Sequence, residues 1–258
     1  MMRAYRNHSM ALGWTSVLLA SASLAGCASA NAVKADVPPE IDLTGVDCKA
    51  DHDGSFYVWQ RPQNAQPGDT IPITATAFIP YAPRQLDPRC VASVTTNAPD
   101  IVSVVRDDEG VQRLTLAENA PVDFVIDVTA TLHHGTTAAG QIYVYDRSMK
   151  PLVGTWKQEG GNCNPDDRIL EAKFEPDGRI EITWRPFETY VDYWGTYELN
   201  ADAGTISIEA TGGNYIPDDI VAGKITIDGD SFILDGASFG TSERGGGVCS
   251  AAFTRISD

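Results

Sequence analysis

The sequence predicts an all-β protein of two consecutive modules, residues 47–146 and residues 147–258. Three observations lead to this prediction. Residues 123–132 alternate apolar and polar side chains, which is the two-residue period of a strand with one buried face. Turn residues interrupt short apolar runs at a spacing of about 8 to 12 residues. Of the four cysteines after Cys27, two lie before residue 150 and two lie after it.

Residues 1–26 have the composition of a secretory signal peptide. Arg3 and Arg6 precede an apolar stretch from Met10 to Leu24, and no acidic residue occurs before or within it. A membrane span needs about 20 consecutive apolar residues, so this stretch is too short to be a comfortable one. We therefore expect residues 1–26 to be removed and to take no part in the fold.

The signal segment ends in Leu-Ala-Gly-Cys at residues 24–27, which resembles the lipobox of bacterial lipoproteins at all four positions. In that family the cysteine sulfur is lipidated and the chain is cut directly before it. The resemblance implies a membrane anchor on Cys27, and Ala28 in place of aspartate implies the outer membrane, facing the periplasm. An ordinary signal peptide cut after Ala30 is the open alternative.

Residues 27–46 contain small residues, two prolines and scattered charges, a composition typical of a tether. The formal net charge of the whole chain is −16, and loss of the two signal-peptide arginines leaves −18. An acidic chain without a basic stripe repels nucleic acid and anionic lipid surfaces, so neither is an expected partner of its surface.

The four cysteines after Cys27 are an even number in an oxidising compartment, which favours two disulfides. Four cysteines allow three connectivities. Because the module boundary leaves two cysteines on each side, we predict that Cys48 pairs with Cys90 and Cys163 with Cys249. A reactive thiol or a metal site is the alternative, but there is no Cys-x-x-Cys motif to support it.

The first module contains five predicted strands: residues 71–78, 101–105, 112–116, 123–132 and a strand that ends at 141–145. The loose motifs at 97–104 and 128–130 resemble bacterial immunoglobulin-like domains of surface proteins. The resemblance implies a β-sandwich that serves as a spacer or adhesive module.

The second module opens with Gly154-x-Trp156 and ends in a strand that contains Arg255, much as lipocalins and their relatives do. The resemblance implies that Gly154 lets its strand bend and that Trp156 packs across the barrel floor under Arg255. Six predicted strands lie between these two ends: residues 169–174, 179–184, 194–199, 205–209, 223–227 and 231–234. About eight strands in up-and-down order predict a small closed antiparallel barrel, lipocalin-like but without a terminal helix.

Six aromatic residues fall within residues 184–197, a segment that joins two predicted barrel strands. Aromatic rings at a barrel mouth bind apolar or planar ligands. We predict that five of them form a ligand site: Trp184, Phe187, Tyr190, Tyr193 and Trp194. The alternative is that these rings fill and cap the barrel core.

No sequence pattern indicates catalysis. Neither Gly-x-Ser-x-Gly nor Ser-x-x-Lys occurs, and paired acids such as Asp166-Asp167 are adjacent residues in predicted loops. His133-His134 would point to opposite faces of a strand, which disfavours a metal site. We therefore expect neither an enzyme nor a bound metal or cofactor.

Two hypotheses about function remain. The first is noncovalent capture of a small apolar or amphipathic molecule by the barrel. The second is a protein-interaction lipoprotein, such as an envelope assembly factor or an inhibitor of a lytic enzyme. A large cavity in the barrel would favour the first hypothesis, and a barrel filled with side chains would favour the second.

Overall fold

The all-β prediction is confirmed by a computed structural model of the chain. The structure describes residues 41–48, 56–59, 62–79, 82–163, 168–184, 191–214, 216–217, 221–237, 239 and 248–257. The predictions made for residues 1–40, including Cys27, and for Phe187 and Tyr190 lie outside this part of the chain. No helix within it is long and apolar enough to cross a membrane.

The first half of the chain forms two sheets. Their strands are β1 (Phe56–Tyr57), β2 (Gln63–Ala65), β3 (Thr70–Pro72), β4 (Thr76–Ile79), β5 (Ala82–Gln85), β6 (Val91–Thr96), β7 (Val102–Arg106), β8 (Gln112–Leu116), β9 (Phe124–Leu132) and β10 (Thr137–Val144). One sheet has the order β5-β4-β1-β10-β9-β6, with β2 also paired to β10, and the other has the order β3-β8-β7. The pairs of β1 and β2 with β10 are parallel, whereas the remaining pairs in these sheets are antiparallel.

Both sheets contribute to one apolar core. Strand β9 buries Ile126, Val128 and Ala130, and β8 from the other sheet buries Leu114. The alternation predicted for residues 123–132 therefore places the correct face in the core. Phe124 was predicted on the same face but is 36% exposed, because it begins the strand at the edge of this core.

The single strand predicted for residues 71–78 is wrong, because the structure divides it between two sheets. Strand β3 ends at Pro72 and pairs with β8, whereas β4 begins at Thr76 and pairs with β1 and β5. Proline has no N–H to donate to a ladder, which favours the end of a strand. Between the two strands, the Ile73 N–H still donates to the Gln112 carbonyl, over 2.8 Å.

The second half of the chain forms a closed eight-stranded antiparallel barrel, as predicted. Its strands are β11 (Gly154–Gly161), β12 (Ile169–Phe174), β13 (Arg179–Trp184), β14 (Tyr193–Asn200), β15 (Thr205–Gly213), β16 (Val221–Asp228), β17 (Ser231–Ala237) and β18 (Cys249–Ser257). Each strand pairs with the next, and β18 pairs with β11 to close the barrel. Gly154 has a φ of 127°, a region that suits glycine, at the position where β11 begins.

The two predicted disulfides are confirmed. Cys48 is bonded to Cys90 and Cys163 to Cys249, with sequence separations of 42 and 86. Cys163 follows β11 and Cys249 begins β18, so the second disulfide joins two neighbouring strands at one end of the barrel.

Polar contacts connect the first sheet region to the barrel within the compact unit Ile41–Asp258. Asn64 Nδ2 donates to Glu175 Oε2 over 3.0 Å, and Lys173 Nζ lies 2.6 Å from Glu175 Oε1. Lys150 binds the Asp123 carboxylate and donates to the carbonyl of Pro176. Glu175 is only 4% exposed, so this carboxylate is paired on both oxygens where water has little access.

Candidate functional site

The barrel has two different ends. At the floor end, short turns join the strands, at residues 175–178, 201–204 and 229–230. At the opposite end, which we call the loop end, the connections are longer and span residues 162–168, 185–192, 214–220 and 238–248. Long loops on a rigid barrel are where binding residues concentrate, so the loop end is the natural side for a ligand to enter.

The sequence-predicted pair Trp156 and Arg255 is in contact at the floor end. The guanidinium carbon of Arg255 lies 4.1 Å from the centroid of the Trp156 indole, which is fully buried. Arg255 also donates to the carbonyls of Val153 and Pro151. The indole N–H of Trp156 donates to the Leu152 carbonyl over 2.7 Å. These contacts fix the segment that precedes β11 onto β18, the last strand of the barrel.

Aromatic rings fill the interior above this pair. Phe232 is the centre of the cluster: its ring centroid lies 4.8 Å from that of Trp156, 4.5 Å from that of Phe253 and 6.1 Å from that of Phe174. All four residues are at most 2% exposed. Edge-on and stacked arrangements at these distances are favourable, so the floor half of the barrel is a packed core rather than a cavity.

The interior becomes more polar beside the ring layer, where Gln158 is the cross-strand partner of Phe253. Gln158 points inward from β11 and is 3% exposed. Its side-chain oxygen accepts a hydrogen bond from the Ile169 N–H over 2.9 Å, and this bond sets the orientation of the amide. The amide nitrogen, Nε2, then has no hydrogen-bond partner in the part of the chain that the structure describes.

Trp184 is a second buried donor in the same region. It is 2% exposed at the end of β13, and its indole nitrogen has no partner among the described residues. Ile169, which bonds to Gln158, is also the cross-strand partner of Trp184, so both side chains border the same part of the interior. Leaving a buried donor unsatisfied costs about 1 to 3 kcal/mol, which makes two such donors a marked feature.

Asp192 holds the end of β13 in place. Its carboxylate accepts the backbone N–H of Trp184 over 2.7 Å, while its own N–H donates to the carbonyl of Ile182. Asp192 is 2% exposed, so its carboxylate is buried against the backbone of Trp184.

Tyr193 and Trp194 point in opposite directions, as adjacent strand residues do. Tyr193 is fully buried, and its hydroxyl donates to the Phe239 carbonyl over 3.1 Å. Burial, with a smaller contribution from the charge of Asp192, raises the pKa of the Tyr193 phenol far above its ordinary value. Tyr193 therefore serves as a neutral, fully bonded part of the core below the loop end.

Trp194 does not share a site with Tyr193, so the prediction of one aromatic cluster needs correction. Its side chain lies on the outer wall of the barrel, is 50% exposed and packs over Gly212. Of the five predicted ligand residues, the structure places Trp184 and Tyr193 inside and Trp194 outside. Phe187 and Tyr190 belong to the part of the chain that it does not describe.

Two residues of the loop end were missed by the sequence reasoning. Gln158 follows Trp156 by two positions and therefore shares its inward face, which was a usable signal. Asp192 lies among the aromatic residues of 184–197, and nothing in that pattern distinguishes a buried carboxylate from a solvated one. Within the described ranges, no group of three or more His, Cys, Asp or Glu side chains is arranged to hold a metal ion.

Comparisons with known proteins give no guide to the role of this site, since neither the scan of protein-family models nor the search of curated sequences finds a match.

Proposed function

We propose that this chain is a lipid-anchored lipoprotein of the bacterial envelope and that its barrel binds a small apolar or amphipathic molecule without covalent chemistry. The observation that carries this proposal is the change of polarity inside the barrel. Gln158, the cross-strand partner of Phe253 in the packed rings, and Trp184 at the loop end carry donors that lack partners among the described residues. Buried donors are normally bonded, so these two support the binding of a guest with an acceptor group.

The packed floor restricts where this guest binds. Phe232 and Phe253 stack on each other from the neighbouring strands β17 and β18. The proposed binding site therefore lies above this ring layer, around Gln158 and Trp184. Its apolar walls include Ile169 and Phe239, which are at most 6% exposed.

In this proposal, the rest of the chain connects the barrel to the membrane. Cys27, in its lipobox sequence, carries the lipid, and the residues after it, as far as the compact unit that begins at Ile41, form the tether. The two N-terminal sheets are an immunoglobulin-like spacer, and the barrel is lipocalin-like. Acyl chains at about 0.8 kcal/mol per buried CH₂ give a stable anchor in the outer membrane on the periplasmic side. Replacing Cys27 with serine should move the protein from the membrane fraction to the soluble fraction; a membrane-bound Cys27→Ser variant would contradict the anchor.

Native mass spectrometry of the full chain tests capture directly. The protein is purified in mild detergent from an oxidising periplasm and measured before and after denaturation, without reduction. We expect the native mass to exceed the denatured mass by that of one small molecule. Equal native and denatured masses would contradict capture.

A second candidate function is binding to an envelope protein, and the packed floor together with Trp194 favours it. A half-exposed tryptophan on a rigid strand is a common anchor residue of protein interfaces. Cross-linking in cells would test this candidate, with Trp194→Ala expected to reduce the cross-linked product. If the product forms equally in both proteins, Trp194 is not the anchor.

A further inference from the structure

We infer that the molecule captured at the loop end is electrically neutral and offers an oxygen acceptor, such as a ketone, ester or amide carbonyl, to Gln158 and Trp184. This inference rests on the proposed function and specifies its ligand class. Its basis is the identity, the burial and the surroundings of the two unpartnered groups.

Gln158 Nε2 and Trp184 Nε1, like Arg168 Nε next to Ile169, are donors without a partner among the described residues. Gln158 accepts the Ile169 N–H with its oxygen, so within the described part of the chain only its N–H groups lack a partner. The indole of Trp184 has a single N–H and no acceptor. A guest that satisfies both must therefore supply lone pairs, and one carbonyl oxygen has two.

The net negative charge of the chain disfavours an anionic acceptor. The buried Asp192 carboxylate bonds to the backbone of Trp184, and the chain has a formal net charge of −16. Like charges repel strongly where water is excluded. A carboxylate or phosphate guest is therefore disfavoured, whereas a neutral carbonyl on an apolar body matches both the donors and the apolar walls.

Three probes of nearly equal size separate these possibilities. Acetophenone carries a neutral carbonyl, benzoate carries a charged carboxylate, and ethylbenzene has no acceptor. The full chain is labelled on its tryptophan indoles with a nitrogen isotope, and the N–H signals are followed by NMR during titration with each probe. The Trp184 signal is assigned from its loss in Trp184→Phe, and the bonded Trp156 indole reports on the fold.

Of the three probes, we expect only acetophenone to shift the NMR signal of the Trp184 indole N–H downfield. Acetophenone should also bind about tenfold more tightly than ethylbenzene or benzoate, because it alone offers a neutral acceptor to the two donors; tenfold corresponds to about 1.4 kcal/mol. Gln158→Met should reduce this preference several-fold. Gln112→Met, which changes a buried glutamine outside the barrel, is the matched control and should preserve it.

The outcomes distinguish the inference from the function on which it rests. Equal binding of the three probes, or tighter binding of benzoate, would overturn the neutral carbonyl and leave capture intact. If Gln158→Met retains the preference while the Trp156 signal shows a native fold, the donors are not the recognition groups. If none of the probes shifts any barrel signal, both the ligand class and the proposed capture are contradicted.

Discussion

Arg255 lies over the indole of Trp156, with 4.1 Å between the guanidinium carbon and the ring centroid, and it also binds the carbonyls of Val153 and Pro151. The same guanidinium bonds to Asp230, so its stacking face and its edge are both used. One side chain of the last strand thereby fixes the segment that enters the first strand. The floor of the barrel is held closed at the point where the two ends of its sequence meet.

Replacing Arg255 with lysine should lower the free energy of unfolding by about 2 to 4 kcal/mol, because an ammonium group cannot replace the planar fork that bonds and stacks at once. Urea unfolding of the oxidised protein measures this change. Arg113→Lys provides the control, since that guanidinium is 42% exposed and pairs with Asp107 near the surface. Equal losses in the two variants would contradict a special role for the floor contact.

The Cys163–Cys249 disulfide should stabilise the barrel by restricting the unfolded chain. A loop with a sequence separation of 86 corresponds to about 4 to 5 kcal/mol in the chain-entropy model. We expect the double variant Cys163→Ala/Cys249→Ala to unfold at lower urea concentration while retaining the strand signal in circular dichroism. An unchanged midpoint would show that the unfolded chain is already compact in this region.

Two barrel tyrosines should make stability depend on alkaline pH. Burial raises the pKa of Tyr193 and of Tyr197, and nearby carboxylates add to the effect. Because the unfolded chain ionises these phenols at about pH 10, stability that is present below that pH is lost as pH rises, by about 1.4 kcal/mol per pH unit for each group. The double variant Tyr193→Phe/Tyr197→Phe should therefore show a shallower loss.

Phenolate absorbance provides the direct readout of that prediction. At least two of the nine tyrosines should remain protonated until the protein unfolds in base. Tyr57→Phe is the control, since Tyr57 is 44% exposed. Complete ionisation of all tyrosines in the folded protein would contradict the burial of Tyr193 and Tyr197.

The Glu175 carboxylate should matter for stability because it is buried and contacts both Asn64 and Lys173. Removing one partner of a buried pair leaves the others unsatisfied, at a cost of about 3 kcal/mol. We expect Glu175→Ala to show this loss in urea unfolding and Glu198→Ala, at an exposed position of the barrel wall, to show little. Similar behaviour of the two variants would mean that Glu175 is solvated in solution.

Much of the fold was predictable because local pattern and global structure agree. The predicted strands 169–174 and 179–184 match β12 and β13, and the tight turn between them contains Pro176-Asp177-Gly178. The cysteine pairs followed from the module boundary. In contrast, the split at Pro72 depends on which sheet offers a partner on each side of the proline, and no local pattern contains that information.

The site was only partly predictable for a similar reason. Strand alternation places Tyr193 and Trp194 on opposite faces of the sheet. The two-residue period that identified the strand therefore already excluded one cluster that contains both side chains. Whether Trp184 lines a space or fills the core depends on the packing of all eight strands. The unpartnered state of Gln158 Nε2 is likewise a property of its neighbours in space.

The most direct test of the central claim compares two tryptophans by native mass spectrometry of the full chain. Trp184→Phe removes a donor inside the barrel, whereas Trp194→Phe changes a ring of similar size on its outer wall. We predict that the wild type and Trp194→Phe both carry one small molecule that denaturation releases, and that Trp184→Phe has lost most of it. An empty wild-type protein, or equal occupancy in the two variants, would contradict capture inside the loop end of the barrel.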